Sequence, residues 1–171
     1  MRLPKQIEGD PRASAILERL TSHGRPLWSG GALLVADVPL DALLETALRD
    51  AREQGRVVRG LERATTALDA QERGLDRADR LAGVARGERI SRLLLLADDG
   101  AERFYRHVES VLVRHGARVL ALRLDVGARA LGERVFGPGA LAKLVLLDHK
   151  DAVAAALRAI AAGASAPGRA S

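Results

Sequence analysis

The feature that most constrains this chain is a set of three short apolar runs separated by amphipathic helical stretches. Arg92-Leu93-Leu94-Leu95-Leu96-Ala97 is an unbroken run of strand length, closed by Asp98-Asp99-Gly100. Arg118–Leu124 alternates apolar and basic residues as a strand does, and Leu141–Leu147 supplies a third. Between them, residues 101–115 place Phe104, Val108, Val111 and Leu112 at helical spacing. Ala128–Phe136 forms a second helix closed by Gly137-Pro138-Gly139, and Asp148–Ala162 a third with Val153, Leu157 and Ile160 inward. Strands apolar on both sides need cover on both faces, so the alternation predicts an α/β fold with one sheet between helical layers.

Upstream the pattern is looser. Residues 1–10 are polar with Pro4 and Gly9 and read as a mobile start. Asp10 and Pro11 can open a helix with the stripe Ile16, Leu17 and Leu20, ending at His23-Gly24. Ala32–Ala36 reads as a short buried strand. Asp41 then caps a helix through about Gln54, with Leu43, Leu44, Ala47 and Leu48 inward and Gly55 beyond its end. Val57-Val58 is extended, Gly60 turns, and a helix runs from Leu61 to Leu68. At 69–89 the apolar residues Leu75, Leu81 and Val84 are too sparse for a firm core, so a charged insertion with some helix is expected. The tail 163–171 is small, polar and Pro/Gly-bearing, the composition of a disordered end.

Composition bounds the function. The 171 residues include no Cys, which excludes a disulfide framework, a zinc ribbon, a thiol nucleophile and an Fe–S site. No apolar run approaches the ~18 residues that span a bilayer, and Arg2 and Lys5 precede no apolar signal region. A cytoplasmic protein without membrane contact is the expectation. The cationic charge is nearly all arginine, 24 Arg against 3 Lys, with net charge +5 and pI near 10.6. Guanidinium groups bind phosphate bidentately, so this balance points to nucleic acid or acidic partners. GC-rich codon usage inflates Arg, Ala and Gly as well. One Trp, one Tyr and two Phe are too few for a recognition surface of stacked rings.

No catalytic motif stands out, and no cofactor or metal motif either. His23, His107, His115 and His149 lack metal-ligand spacing, and the chain has no Walker loop, GxSxG or GxGxxG after a strand. His107 and His115 lie two turns apart on one helix, where solvated histidines are the plain expectation. Asp98 and Asp99 at a strand's carboxyl end are the one enzyme-like feature. Paired carboxylates there can bind Mg²⁺ for phosphoryl transfer if joined by others, and Asp125 and Asp148 also follow strands. Helix capping and a turn before Ala101 are the plainer expectation for the pair, which is read as structural and not catalytic.

Three segments together resemble one family, the L7Ae/L30e-like RNA-binding domains, including the bacterial YlxQ-type members. Gly55-Arg56-Val57-Val58-Arg59-Gly60-Leu61-Glu62-Arg63-Ala64-Thr65-Thr66-Ala67-Leu68 is similar to the family's strand, glycine turn and helix. Leu94-Leu95-Leu96-Ala97-Asp98-Asp99-Gly100 is similar to its apolar strand and acidic turn. Ala130-Leu131-Gly132-Glu133-Arg134-Val135-Phe136-Gly137 is similar to its L-G-x-A-x-G helix. The resemblance covers residues 42–162, with 1–41 as an N-terminal extension. There, Gly24-Arg25-Pro26-Leu27-Trp28 resembles the end of a YlxR-type domain, without that domain's cysteines.

The resemblance implies a three-layer α-β-α sandwich that binds structured RNA, ribosomal or other non-coding, in a setting such as the ribosome and translation, with no catalysis. In the family a glycine and a helix N-terminus meet the RNA backbone while Asn and Glu side chains read extruded bases. Here Gly60 keeps the glycine, but Glu62 stands at the Asn position, Arg63 at the Glu position and Thr66 at the Lys position. Phosphate contacts from Arg56, Arg59 and Arg63 are then expected to outweigh base reading. The loop that clasps a bulged base in the family corresponds to Gly137, Pro138, Gly139 and Ala140. The alternatives are a member of the same fold that docks a protein instead of RNA, and a Mg²⁺-dependent phosphoryl-transfer enzyme using Asp98 and Asp99.

Overall fold

The computed structural model describes residues 1–83 and 89–164. The centre of the sheet is β4 (Arg92–Leu96), whose four leucines are fully buried. Leu93 and Leu95 face one side of the sheet, Leu94 and Leu96 the other, so a strand that is apolar throughout sits where both faces are covered. On one flank β5 (Val119–Leu124) and then β2 (Leu34–Val38) run parallel to β4, and β1 (Arg25–Pro26) closes that edge antiparallel to β2. On the other flank β6 (Leu144–Leu147) and then β3 (Val57–Arg59) each pair antiparallel. The resulting order among the described residues is β1-β2-β5-β4-β6-β3, an open mixed sheet.

Two helical layers complete the expected α-β-α sandwich. α2 (Ala13–Thr21), α3 (Ala42–Glu53), α6 (Ala128–Phe136) and α7 (Lys150–Ala164) cover Leu93, Leu95, Leu122, Leu124, Val145 and Leu147. α4 (Leu61–Ala82) and α5 (Glu102–His115) cover Leu94, Leu96, Val119, Ala121, Leu144 and Leu146. α3 begins where its cap predicts, with Asp41 Oδ1 accepting the Leu44 amide at 2.9 Å. No helix among the described residues is long and apolar enough to cross a membrane.

Several expectations are corrected, among them Leu43, expected inward on α3 but 50% exposed. Residues 1–10 are built into the core: α1 (Lys5–Glu8) buries Ile7 completely, Leu3 is buried beside it, and Arg158 of α7 reaches Asp10 Oδ2 at 3.1 Å. Ile16, Leu20, Ala36 and Val38 from the rest of segment 1–41 join the same cluster. The helix from Leu61 does not stop at Leu68 but continues through Ala82, so most of the expected insertion is ordinary helix, with 84–88 outside the described residues. The third strand starts at Leu144, because Leu141 is exposed and the Ala142 amide donates to Ala128 O instead of to a ladder. The tail expected at 163–171 begins inside α7 and otherwise lies outside the described residues.

The extended part of α4 is held by polar contacts rather than apolar ones, which is why apolar spacing misses it. His115, expected to be solvated, is instead fully buried at the end of α5, with Nε2 3.0 Å from Asp69 and Nδ1 3.2 Å from Glu72. Arg118 reaches the same Glu72 carboxylate at 3.2 Å and Gln71 Oε1 at 3.1 Å. Burial and the Arg118 charge hold the imidazole pKa below its ordinary value, against the opposing pull of Asp69. Arg118 Nη2, 3.4 Å from Nδ1 and 3.2 Å from Glu72, places a donor between this ring nitrogen and the carboxylate, while Nε2 faces Asp69.

Candidate nucleic-acid interface

At the carboxyl ends of the parallel strands, β3 forms the outer edge of the sheet and hands the chain to α4 through Gly60. Gly60 has φ +94° and ψ 153°, a conformation open only to glycine. Its amide donates to Leu144 O and its carbonyl accepts the Ala64 amide. No side chain caps α4, so the first-turn amides that follow Gly60 have no partner within the helix. A Cβ built on Gly60 would meet nothing within 4 Å, so the space in front of this turn is open.

Beside the turn lies an open cleft of about 910 Å³. Its walls are Arg52 of α3, Val57, Val58 and Arg59 of β3, Glu62, Arg63, Thr66 and Ala67 of α4, and Phe136 at the end of α6. The Arg59 guanidinium lies over the Phe136 ring at 5.0 Å from its centroid, and Arg52 approaches the same ring at 5.8 Å. Arg52, Arg59 and Arg63 make no ion pair with a carboxylate among the described residues, whereas Arg25, Arg92, Arg114, Arg118 and Arg123 are each tied to one. Three arginines therefore face one cleft with Glu62 as its only acidic wall, and Glu62 also borders the groove between α4 and α5.

Phe136 joins the second expected segment to this cleft. Gly137, at φ +109°, ends α6, and Ala140 donates back to Gly137 O at 3.2 Å, with Pro138 and a positive-φ Gly139 between them. Pro second and Gly third is the sequence of a type II turn. Within α6, Gly132 packs so closely on this loop that a Cβ would fall 2.2 Å from Ala140 O. The loop 137–140 is therefore fixed against α6 and follows directly on a residue that lines the cleft.

Of the residues singled out from sequence, Arg59, Glu62, Arg63 and Thr66 share the cleft, Gly60 forms its turn, and Gly137, Pro138, Gly139 and Ala140 stand at the Phe136 side. Arg56 does not join them. It lies in a separate groove between α3 and α7, where Nη1 is 3.8 Å from Asp151. Arg52 and Phe136 carry no mark in local spacing, and only the packing of α3 and α6 beside β3 brings them into the cleft.

The four candidate metal carboxylates do not converge. Asp99 Oδ1 accepts the Ala128 amide at 2.9 Å and so caps α6 from across the sheet end. Asp125 Oδ1 accepts the Leu40 amide at 2.8 Å. Asp148 lies at the opposite end of the sheet, 3.2 Å from Arg92 at the start of β4. Tyr105 holds the turn after β4, its hydroxyl donating to Ala97 O at 2.5 Å and accepting the Gly100 amide at 3.0 Å. Among the described residues no group of three His, Asp or Glu could hold a metal ion.

Trp28 takes part in an arrangement with no local signature. Glu109 on α5 accepts the Trp28 indole N–H at 2.9 Å with Oε2, and the Ala32 and Leu33 amides at 2.9 Å each with Oε1. The Leu33 amide, followed by the Trp28 and Ala32 donors, holds this carboxyl below the usual glutamate range. Arg106 covers the outer face of the indole at 4.5 Å. This latch fastens the segment between β1 and β2 to α5. No protein-family model matches this chain, and no curated protein matches it at a significant level.

Proposed function

We propose that this protein binds structured RNA at the cleft between Arg52, Arg59, Arg63 and Phe136, beside the Gly60 turn. The single observation that carries the reading is the convergence of three arginines without carboxylate partners on one cleft next to an uncapped helix N-terminus. Guanidinium groups without carboxylate partners and free amides are both phosphate ligands, and the glycine turn leaves room for a second backbone. The resemblance to L7Ae/L30e-like domains supports the same face, with Gly60 and the 137–140 loop on either side of the cleft. With Glu62 and Thr66 where that family has base readers, backbone contacts supply most of the affinity and the preference among structured RNAs is weak. Photocrosslinking of a bound bent hairpin RNA, mapped to peptides, should label 52–66 and 136–140. Labelling confined to other segments refutes this face.

A second reading, docking of a protein partner, is favoured by an apolar groove of about 390 Å³ at the other side of the sheet. It is lined by Leu33, Leu34, Leu112, Val113 and Leu120, with Leu34 71% and Val113 67% exposed. Exposed apolar surface of this kind marks association sites.

A further inference from the structure

The helix that leaves the cleft is 22 residues long, and exposed arginines continue along it well beyond the cleft. At 100° per residue, Ala64, Leu68 and Glu72 turn inward, while Arg63, Ala70, Arg73, Gly74 and Arg77 share the opposite, solvent-facing side, where all five are exposed. The acidic residues Asp69 and Glu72 are turned to the other flank, where they hold Arg114, His115 and Arg118. Asp69 and Glu72 thus face α5, whereas Arg63, Arg73 and Arg77 face solvent, with Glu62 and Asp76 also exposed on the helix. Neither Arg73 nor Arg77 makes an ion pair among the described residues. From Arg63 the ridge extends about 20 Å along the helix axis to Arg77.

A second observation concerns Gly74, in the middle of this face. Glycine is among the least favourable residues inside a helix, and its use is explained when backbone must approach backbone. Nothing among the described residues requires it, because a Cβ at Gly74 would meet none of their atoms within 4 Å. With exposed Ala70 one turn before it, Gly74 leaves the helix surface low beside Arg73 and Arg77, with Arg63 about three turns back toward the cleft.

We infer that the outer face of α4 is a second contact surface, which tracks the phosphate backbone of a double-stranded RNA stem flanking the element held in the cleft. This rests on the RNA reading proposed above. A duplex is the occupant because these guanidinium groups run along one side of a helix without rings: the chain's aromatic residues are Trp28, Phe104, Tyr105 and Phe136, none on α4. Single strands are gripped by stacking platforms, whereas a duplex offers phosphates along its groove. The low surface at Gly74 lets a strand of the stem pass close to the helix.

The test uses the full chain and two RNAs, a bent hairpin with a minimal stem and the same hairpin with its stem lengthened by one helical turn. Salt titrations are followed by fluorescence anisotropy. The wild-type protein should bind the long-stem RNA with the steeper salt dependence. Arg73→Ala with Arg77→Ala should flatten the long-stem slope by about two units while leaving the short-stem slope unchanged. Gly74→Gln, which keeps the helix and fills the low surface, should weaken only the long-stem complex. Circular dichroism verifies that the variants fold. Long-stem affinity and slope unchanged in both variants overturn the ridge and leave the cleft reading standing. Failure of the wild-type protein to bind either RNA removes the cleft reading, and the ridge with it.

Discussion

Glu109→Ala should unfasten the segment between β1 and β2, and the cost follows from the bonds it removes. One carboxylate accepts three hydrogen bonds, from the Trp28 indole and the Ala32 and Leu33 amides. The Ala32 amide is exposed and water replaces its partner at little cost. The Trp28 and Leu33 donors are half-buried, and each charge-assisted bond contributes about 1.5–3 kcal/mol. Alanine regains about half a kcal/mol of helix propensity on α5. The expected loss is about 2.5–5.5 kcal/mol, and Glu109→Gln, which keeps one acceptor oxygen for the amides, should lose about half as much. Trp28 is the only tryptophan, so its fluorescence reports on the latch directly while far-UV circular dichroism follows the sandwich. In the variant the emission should shift red under native conditions. The carboxyl's pKa is depressed in the folded state, so its contribution is complete above the ordinary glutamate value and is lost as pH falls through the depressed one. The wild-type latch should therefore open in acid and the variant's emission should not respond. A loss below about 0.5 kcal/mol with unchanged emission refutes the reasoning, since surface substitutions without a structural role fall in that range.

Three further outcomes are expected. His115 has a lowered folded pKa, so the unfolded chain takes up its proton first and stability should fall as pH drops through 6.5; an NMR titration placing His115 above that value contradicts it. Gly132→Ala gains about 1 kcal/mol of helix propensity but drives a methyl into the backbone of Ala140, so denaturant melts should show a net loss of about 1–2 kcal/mol and binding at the 137–140 loop should weaken. Asp98→Asn with Asp99→Asn should cost at most about 0.5–2 kcal/mol through the α6 cap and leave RNA binding intact, whereas a one-site Mg²⁺ isotherm in calorimetry that vanishes in the double variant would support the enzyme reading.

The central strands were legible because their signal is local. Four consecutive leucines and Ala97 ended by Asp-Asp-Gly admit few other structures, and Asp41 marks the start of α3 by its own side chain. The length of α4 was not legible, because past Leu68 the helix is held by Asp69 and Glu72 on His115 and Arg118, partners more than forty residues away. The latch on Trp28 depends on Glu109, eighty-one residues on. At the candidate site the same division holds. Gly60 announces itself as a turn, but Arg56 and Arg59 look equivalent in sequence. Arg56 is drawn to Asp151 on α7, and Arg59 lies over Phe136. Arg52 becomes part of the cleft only once α3 packs beside β3.

The most direct test of the central claim is a salt titration of structured-RNA binding for the wild-type protein and for Arg59→Ala with Arg63→Ala. Both side chains line the cleft without carboxylate partners, so their removal should leave the fold unchanged while taking away phosphate ligands. The account predicts weaker binding to all structured RNAs tested, with the slope of log affinity against log salt shallower by roughly one unit for each phosphate ligand removed. Equal affinities and equal slopes for the two proteins would contradict it and leave the apolar groove at Leu34 and Val113, and a protein partner, as the better reading.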